Sequence, residues 1–252
     1  MRRRGSRPDW LRPAAAGSDR IPRLPRMHRS RIDAAIDDAR ARAAEAGIAL
    51  PAFASWTRAD WLAAAPTPGA RPALERGLGW DVTDFGRGRF DHIGLVLCTL
   101  RNGTLAERDA GAGQTYAEKF LVARDGQETP MHLHRRKTED IINRGGAELV
   151  VELRPESGDG EVVTLVDGLE RAVRGGSPLR LEPGQSVQVP AGVYHRFWAD
   201  GGVLLAGEVS AVNDDVDDNV FLDPSPRYPS VTEDAAARYL LVSEYAEALA
   251  AS

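Results

Sequence analysis

Three of the five histidines in this chain fall into two short clusters whose spacing suits one metal ion. His132 and His134 are two residues apart, so on a strand both side chains point to the same face. Glu139 follows across a turn and can return on the next strand. His195 arrives much later, after the turn Pro190-Ala191-Gly192. Three imidazoles and one carboxylate brought together suit Mn²⁺, Fe²⁺ or Zn²⁺, with coordination positions left for water or substrate. His28 and His92 lie outside this pattern and take no role in it.

The basic residues point to the same part of the chain. Of 32 lysines and arginines, just two are lysine, Lys119 and Lys137. A lysine ammonium is compact and its pKa moves on burial, whereas a guanidinium stays charged. Lys137 stands two residues before Glu139, and Lys119 lies on the segment leading into the histidine pair. Both are candidate catalytic groups, as proton shuttles or as donors to a substrate oxygen. Glu208 is a third, because it follows Gly207 on an apolar stretch, Val203–Ala206, where a carboxylate needs a reason to turn inward. A solvated outer face or a structural ion pair is its plainer alternative. The acidic run Asp214, Asp215, Asp217 and Asp218 lacks the spacing and the terminal Glu of a calcium-binding EF-hand loop.

Strands must position these groups. From Phe90 onward, short β-branched runs alternate with turn signals: His92–Leu100, Tyr116–Arg124, Ala147–Arg154, Glu161–Val166, Leu179–Leu181, Ser186–Val189, His195–Trp198 and Val203–Val212. Asn102-Gly103, Asp125-Gly126, Asp167-Gly168 and Pro183-Gly184 separate them. So many short strands imply an all-β sandwich or barrel. Before them, Ser30 is placed to cap a helix over about residues 31–46 that buries Ile32, Ala35, Ile36, Ala39 and Ala43 and stops at Gly47. Pro51–Gly77, with Phe53, Trp56 and Trp61, reads as short helical pieces packed outside the main core, and Gly79–Gly86 as a turn-rich aromatic stretch. After the strands, Ser230-Val231-Thr232-Glu233 has the form of a capping box for a last helix lined by Tyr239, Leu240, Val242, Tyr245 and Leu249.

Bulk properties narrow the partners. The net charge of -5 argues against nucleic acid as the main one. No run of about 18 apolar residues is present, so no helical membrane span is expected. The single cysteine, Cys98, excludes an internal disulfide and fits a reducing compartment such as the cytoplasm. Its apolar surroundings mark a buried structural thiol. Residues 1–27 form a basic, proline-containing stretch expected to be a disordered tail, and Met27 is an alternative start that would omit it. Residues 28–252 are expected to form a single domain, with a helical layer over 28–78.

The full pattern Gly126-x5-His132-x-His134-x4-Glu139-x6-Gly146, followed by Gly184-x5-Pro190-x-Gly192-x2-His195, resembles the two motifs of the cupins. It departs where Ala199 stands in place of a frequent Asn that is not a metal ligand. The resemblance implies a mainly β fold, a jelly-roll-like cupin β-barrel, here with N-terminal helices and a C-terminal helix. Further blocks are similar to the D-lyxose isomerase family of cupins: Tyr116-Ala117-Glu118-Lys119, His132 through Asn143, Gly79 through Gly86, Tyr194-His195-Arg196-Phe197-Trp198, Gly207-Glu208-Val209-Ser210 and Asn213-Asp214-Asp215. That likeness spans about residues 28–250. It implies an Mn²⁺-dependent aldose–ketose isomerase acting on D-lyxose and D-xylulose, with D-mannose and D-fructose as secondary substrates, assembled as a homodimer. Asp215 and Trp198 become candidates for binding sugar, with loop capping an equal alternative for Asp215. Two other readings fit the ligand set: an Fe²⁺-dependent cupin dioxygenase and a non-enzymatic sugar-binding cupin.

Overall fold

Period-two alternation along a few long strands decides the architecture. In β3 (Leu95–Asn102) and β4 (Tyr116–Ala123), Leu95, Leu97, Leu121 and Ala123 face one way and Val96, Cys98, Phe120 and Val122 the other. Both sets are buried. The first lines the inside of a curved sheet, and the second lies under helix α1 (Arg29–Glu45), whose Ile32, Ala35, Ile36 and Ala39 cover it. Burial pushes the Cys98 thiol pKa up, as expected of a packing residue. A computed structural model describes residues 27–250 except 159, 215, 216 and 225. The tail 1–26 and Asp215 therefore lie outside the described residues.

One layer of the sheet runs β2 (Gly79–Thr83), β3, β4, β11 (Tyr194–Ala211), β6 (Glu139–Arg154), β10 (Ser186–Val189), β7 (Glu161–Val166) and β8 (Leu169–Arg174). The pairings are antiparallel throughout. The long strands β6 and β11 continue into a second layer, where they meet β9 (Pro178–Leu181), β5 (His132–His134) and, beyond β5, β12 (Asn219–Phe221). Glycines make the corner: the β6–β11 register shifts beside Gly145, Gly146, Gly201 and Gly202, all at positive φ. A Cβ on Gly146 would lie 2.1 Å from the Val203 carbonyl oxygen, so no other residue fits there. Leu149, Val151 and Leu153 from the second layer pack against Leu121, Ile141 and Val187 from the first. The result is a jelly-roll-like barrel with helices at its N-terminal side.

Several boundaries differ from those read in the sequence, each for a physical reason. The expected strands 195–198 and 203–212 are one bent strand, and the expected 147–154 begins at Glu139. Gly79–Thr83, read as turns, is a fully buried edge strand held by pairing to β3. Asn102-Gly103 leads not into a hairpin but into α4 (Leu105–Ala110), capped by Thr104 and Glu107. Asp167-Gly168 does make the tight turn expected, with both residues at positive φ, and it pairs β7 with β8, which the sequence reading omitted.

The termini correct two capping assignments. Helix α1 begins at Arg29, so Ser30 lies inside it. Asp234 accepts from the Ser30 N–H at 3.0 Å and from its hydroxyl at 2.6 Å. No helix starts at Ser230. Val231–Thr232 is a strand, β13, parallel to β1 (Met27–His28), and the Glu233 carboxylate binds Arg29 instead of the Ser230 backbone. The last helix, α5 (Tyr245–Ala250), follows a short 3₁₀ turn at Val242–Glu244. Tyr245 and Leu240 pack with Trp61 of α2 (Arg58–Ala64) and Leu74 of α3 (Arg71–Glu75).

Candidate active site

The barrel interior is apolar except at one end, where β4, β5, β6 and β11 each contribute charged or imidazole side chains. His132 and His195 are direct partners across the β5–β11 pair, and His134 follows His132 on the same face. Glu139 opens β6 after the turn 135–138. That turn is held by Asp218, whose carboxylate accepts from the Arg136 and Lys137 N–H groups at 2.8 and 3.1 Å. The Gly192 N–H donates to the His134 carbonyl at 2.7 Å, tying the His195 turn to the histidine pair. Lys119 and Glu208 are direct partners in the β4–β11 register and both turn inward.

The imidazoles are oriented by the backbone. His132 Nδ1 is 2.8 Å from the Pro130 carbonyl and His195 Nδ1 is 3.2 Å from that of Val193. A carbonyl only accepts, so each Nδ1 carries a proton and each Nε2 is the nitrogen left to face a metal. The nitrogens that His132, His134 and His195 can offer all lie within 4.8 Å of one another. His134 Nε2 is 3.1 Å and His195 Nε2 3.0 Å from the Glu139 carboxylate. His195 Nε2 and Glu139 Oε2 are buried and make no hydrogen bond of good geometry with any described residue. A carboxylate oxygen and an imidazole lone pair repel at such a distance unless a cation lies between them. Burial, together with His195 and His134, lowers His132 well below the usual imidazole range, and burial lowers His134. Neutral imidazoles and an ionised carboxylate are what a divalent metal requires, so these four residues fit one.

Beside them lies a compact group of four charges. Lys137 Nζ is 2.8 Å from Glu139 Oε2 and 2.8 Å from Glu208 Oε1, and Lys119 Nζ is 3.2 Å from Glu208 Oε1. All four side chains are buried. Two ammonium groups and two carboxylates balance, which buried charge demands. Burial works against the ionised form of each carboxyl, yet Lys137 and His134 hold Glu139 well below the usual range, and Lys119 and Lys137 lower Glu208. Burial likewise opposes the Lys137 ammonium, but Glu139 and Glu208 outweigh it and raise its pKa.

These groups line one cavity, walled on its apolar side by Phe85, Leu97, Leu121, Phe197 and Phe221. Trp198, a sugar-binding candidate from sequence, is not among its walls. It alternates with His195 and Phe197 and sits on the other face of β11, under the Arg196 guanidinium at 5.5 Å. The sequence reading passed over Arg227, which enters the cavity from the C-terminal segment and pairs with the buried Asp81 of β2 at 2.9 Å. It also passed over Asn213, Thr129 and Asn219. None of these stands at a recognisable spacing from the histidines.

An antiparallel two-layer barrel closed around a three-histidine, one-carboxylate set makes the protein a cupin. The sequence profile of the D-lyxose isomerase family matches residues 27–245. A D-lyxose/D-mannose isomerase of Escherichia coli O157:H7 is 43% identical over 226 residues, covering 87% of this chain and 98% of that protein. One from Serratia proteamaculans is 44% identical over 203 residues, covering 78% and 88%. The chain therefore belongs to the D-lyxose isomerase family, and it is an aldose–ketose isomerase. That sets aside the dioxygenase and non-enzymatic readings. Among solved structures, L-ribose isomerase from Acinetobacter sp. DL28 with L-ribose superposes with a TM-score of 0.56 at 14% identity, covering 84% of this chain and all of that one. The Cellulomonas parahominis L-ribose isomerase gives 0.55 at 17%, with the same coverage. These two support the fold.

Proposed function

We propose that this isomerase interconverts D-lyxose and D-xylulose, takes D-mannose and D-fructose as a second pair, and works with a divalent metal, Mn²⁺ by preference. The observation that carries the reading is the buried cluster of Lys119, Lys137, Glu139 and Glu208 set beside three clustered imidazoles, at a cavity that His132 and His134 line. The sugars follow from the D-lyxose/D-mannose specificity named for the two relatives. His132, His134, Glu139 and His195 would hold the ion, which when bound supplies Lewis-acid stabilisation of negative charge on sugar oxygens.

Aldose–ketose isomerisation breaks the C2–H bond and forms a C1–H bond, while O2 gives up a proton and O1 gains one. The path runs through an enediol. Glu208, kept ionised by Lys119 and Lys137, is placed to take the C2 proton. Lys137 keeps its own proton and so serves as a donor to a sugar oxygen, not as a base. Lys119, across the strand pair from Glu208, is the second donor. Arg227 and Asn219 offer hydrogen bonds to hydroxyls further along the sugar, and Asp215 is carried forward as a hydroxyl ligand. The Phe85, Phe197 and Phe221 rings keep bulk water from the enediol.

A homodimer in the cytoplasm completes the proposal. Exposed Tyr116, Val163 and Leu169 and the single buried thiol are in keeping with it, and sedimentation checks the mass. No helix among the described residues is long and apolar enough to cross a membrane. The direct test is a screen of D-lyxose, D-mannose and stereoisomeric aldoses, using EDTA-stripped protein with each metal restored in turn. Turnover of D-lyxose as fast as any other aldose supports the reading, and turnover of no aldose with any metal overturns it.

A further inference from the structure

Asn213 touches both ammonium groups of the site. Its side-chain oxygen accepts from Lys119 Nζ at 2.7 Å and from Lys137 Nζ at 3.4 Å. Glu139 Oε2 and Glu208 Oε1, each 2.8 Å away, are the charged oxygens that flank the same Lys137 Nζ. A hydrocarbon at position 213 would take an acceptor away from both lysines. The amide oxygen accepts from each of them without holding it as tightly as a carboxylate would.

The residue is also held in place. Asn213 lies past the end of β11, in a stretch without regular structure. Asn102, buried at the end of β3, treats it as a strand would: Asn102 Oδ1 accepts from the Asn213 N–H at 3.0 Å, and Asn102 Nδ2 donates to the Asn213 carbonyl at 3.4 Å and to that of Arg76 at 3.1 Å. Asn102 in turn is fixed by close packing at its neighbour, since a Cβ on Gly103 would lie 1.8 Å from the Gln114 carbonyl oxygen. The connection runs from the α3 end through Asn102 and Asn213 to the two lysines.

We infer that Asn213 is a positioning residue, aiming the N–H groups of Lys119 and Lys137 with a neutral oxygen, and that Asn102 acts through it. The inference rests on the reading that these lysines serve the isomerisation. It concerns neither metal binding nor the fold, and the test separates the three.

Full-length wild type, Asn213→Ala, Asn213→Asp and Asn102→Ala are compared for kcat and KM on D-lyxose, bound Mn²⁺ per chain and Tm. In Asn213→Ala, kcat falls about 10- to 100-fold, the scale of a misplaced reacting group. KM and metal content stay within about threefold of wild type, because binding is not what the residue serves. Asn213→Asp keeps shape and acceptor, folds and binds metal, yet loses kcat about tenfold or more because a charged oxygen draws both ammonium groups towards position 213 more strongly than the amide does. Asn102→Ala lowers kcat in the same direction by less. Wild-type kcat in Asn213→Ala or Asn213→Asp overturns the inference, as does a kcat loss that merely tracks lost metal or lost folded protein. An active wild type with unaffected variants defeats this inference alone, whereas a wild type that turns over no aldose defeats it together with the proposed function.

Discussion

Two buried ionic clusters can be compared within this one chain. At the helical end, Arg29 is 1% exposed and binds Glu233 and Glu244 of the C-terminal segment. In the barrel, Lys119 and Lys137 share Glu139 and Glu208. The first is an arginine against two carboxylates, one of them largely solvated. The second uses the only two lysines of the chain, adjoins a cavity and stands against His195, whose buried Nε2 has no hydrogen-bond partner among the described residues. A guanidinium forks across two carboxylates and keeps its proton, which serves a clamp. An ammonium can direct single protons into a cavity, which serves a reaction. Buried charge is thus common to both, and what sets the barrel cluster apart is a buried imidazole nitrogen without a partner next to a cavity.

That distinction can be broken by substitution. The largest effect is expected at the histidines. His132→Ala or His195→Ala should lose bound metal and lower kcat/KM on the order of a thousandfold, by the several kcal/mol that Lewis-acid catalysis supplies. Metal analysis and kinetics on the same sample check this, and full Mn²⁺ occupancy in either variant counts against the ligand assignment. Next come Lys119→Arg and Lys137→Arg, which should keep the metal and lose about a hundredfold in kcat, the usual weight of one acid–base group. Wild-type kcat in both would make the barrel cluster as structural as the Arg29 clamp.

How far the sequence already showed these clusters depends on periodicity. The HxH pair follows from alternation on a strand, and lysine scarcity singled out two residues that the fold buries together beside it. The same alternation places Trp198 on the face opposite to His195, three positions earlier on β11, and its side chain does not line the cavity. Asn213 and Asp218 stood in a family-like block and an acidic run without a readable role, and Arg227 stood in neither, because all three come from irregular segments whose partners, such as Asn102 and Asp81, are set by long-range folding. The box Ser230–Glu233 had the right local pattern for a helix start, but pairing of β13 with β1 and the Glu233–Arg29 contact overrode it.

Smaller effects belong to the clamp. Arg29→Ala should lower stability by about 2–3 kcal/mol, between the cost of breaking an exposed pair and a buried one, and leave kcat unchanged. Denaturant unfolding with parallel assays checks it, and a loss of kcat in the folded variant would mean the clamp reaches the barrel. Smallest is a pH effect. The Arg29 hydrogen bond holds the Glu233 carboxyl below its usual range. A lowered folded-state pKa adds stability above the unfolded value of about 4.3, and that stability is lost as pH falls through the folded value. Glu233→Gln should therefore be slightly less stable than wild type at neutral pH and match it in acid. A constant gap at all pH values would contradict this.

The central claim is that the three histidines and Glu139 hold one metal on which isomerisation depends. Protein stripped with EDTA and titrated with Mn²⁺ should recover D-lyxose turnover in step with metal bound, reaching its plateau at about one ion per chain, as a single four-ligand set allows. Full turnover in the stripped protein, or a plateau at two or more ions per chain, would contradict it.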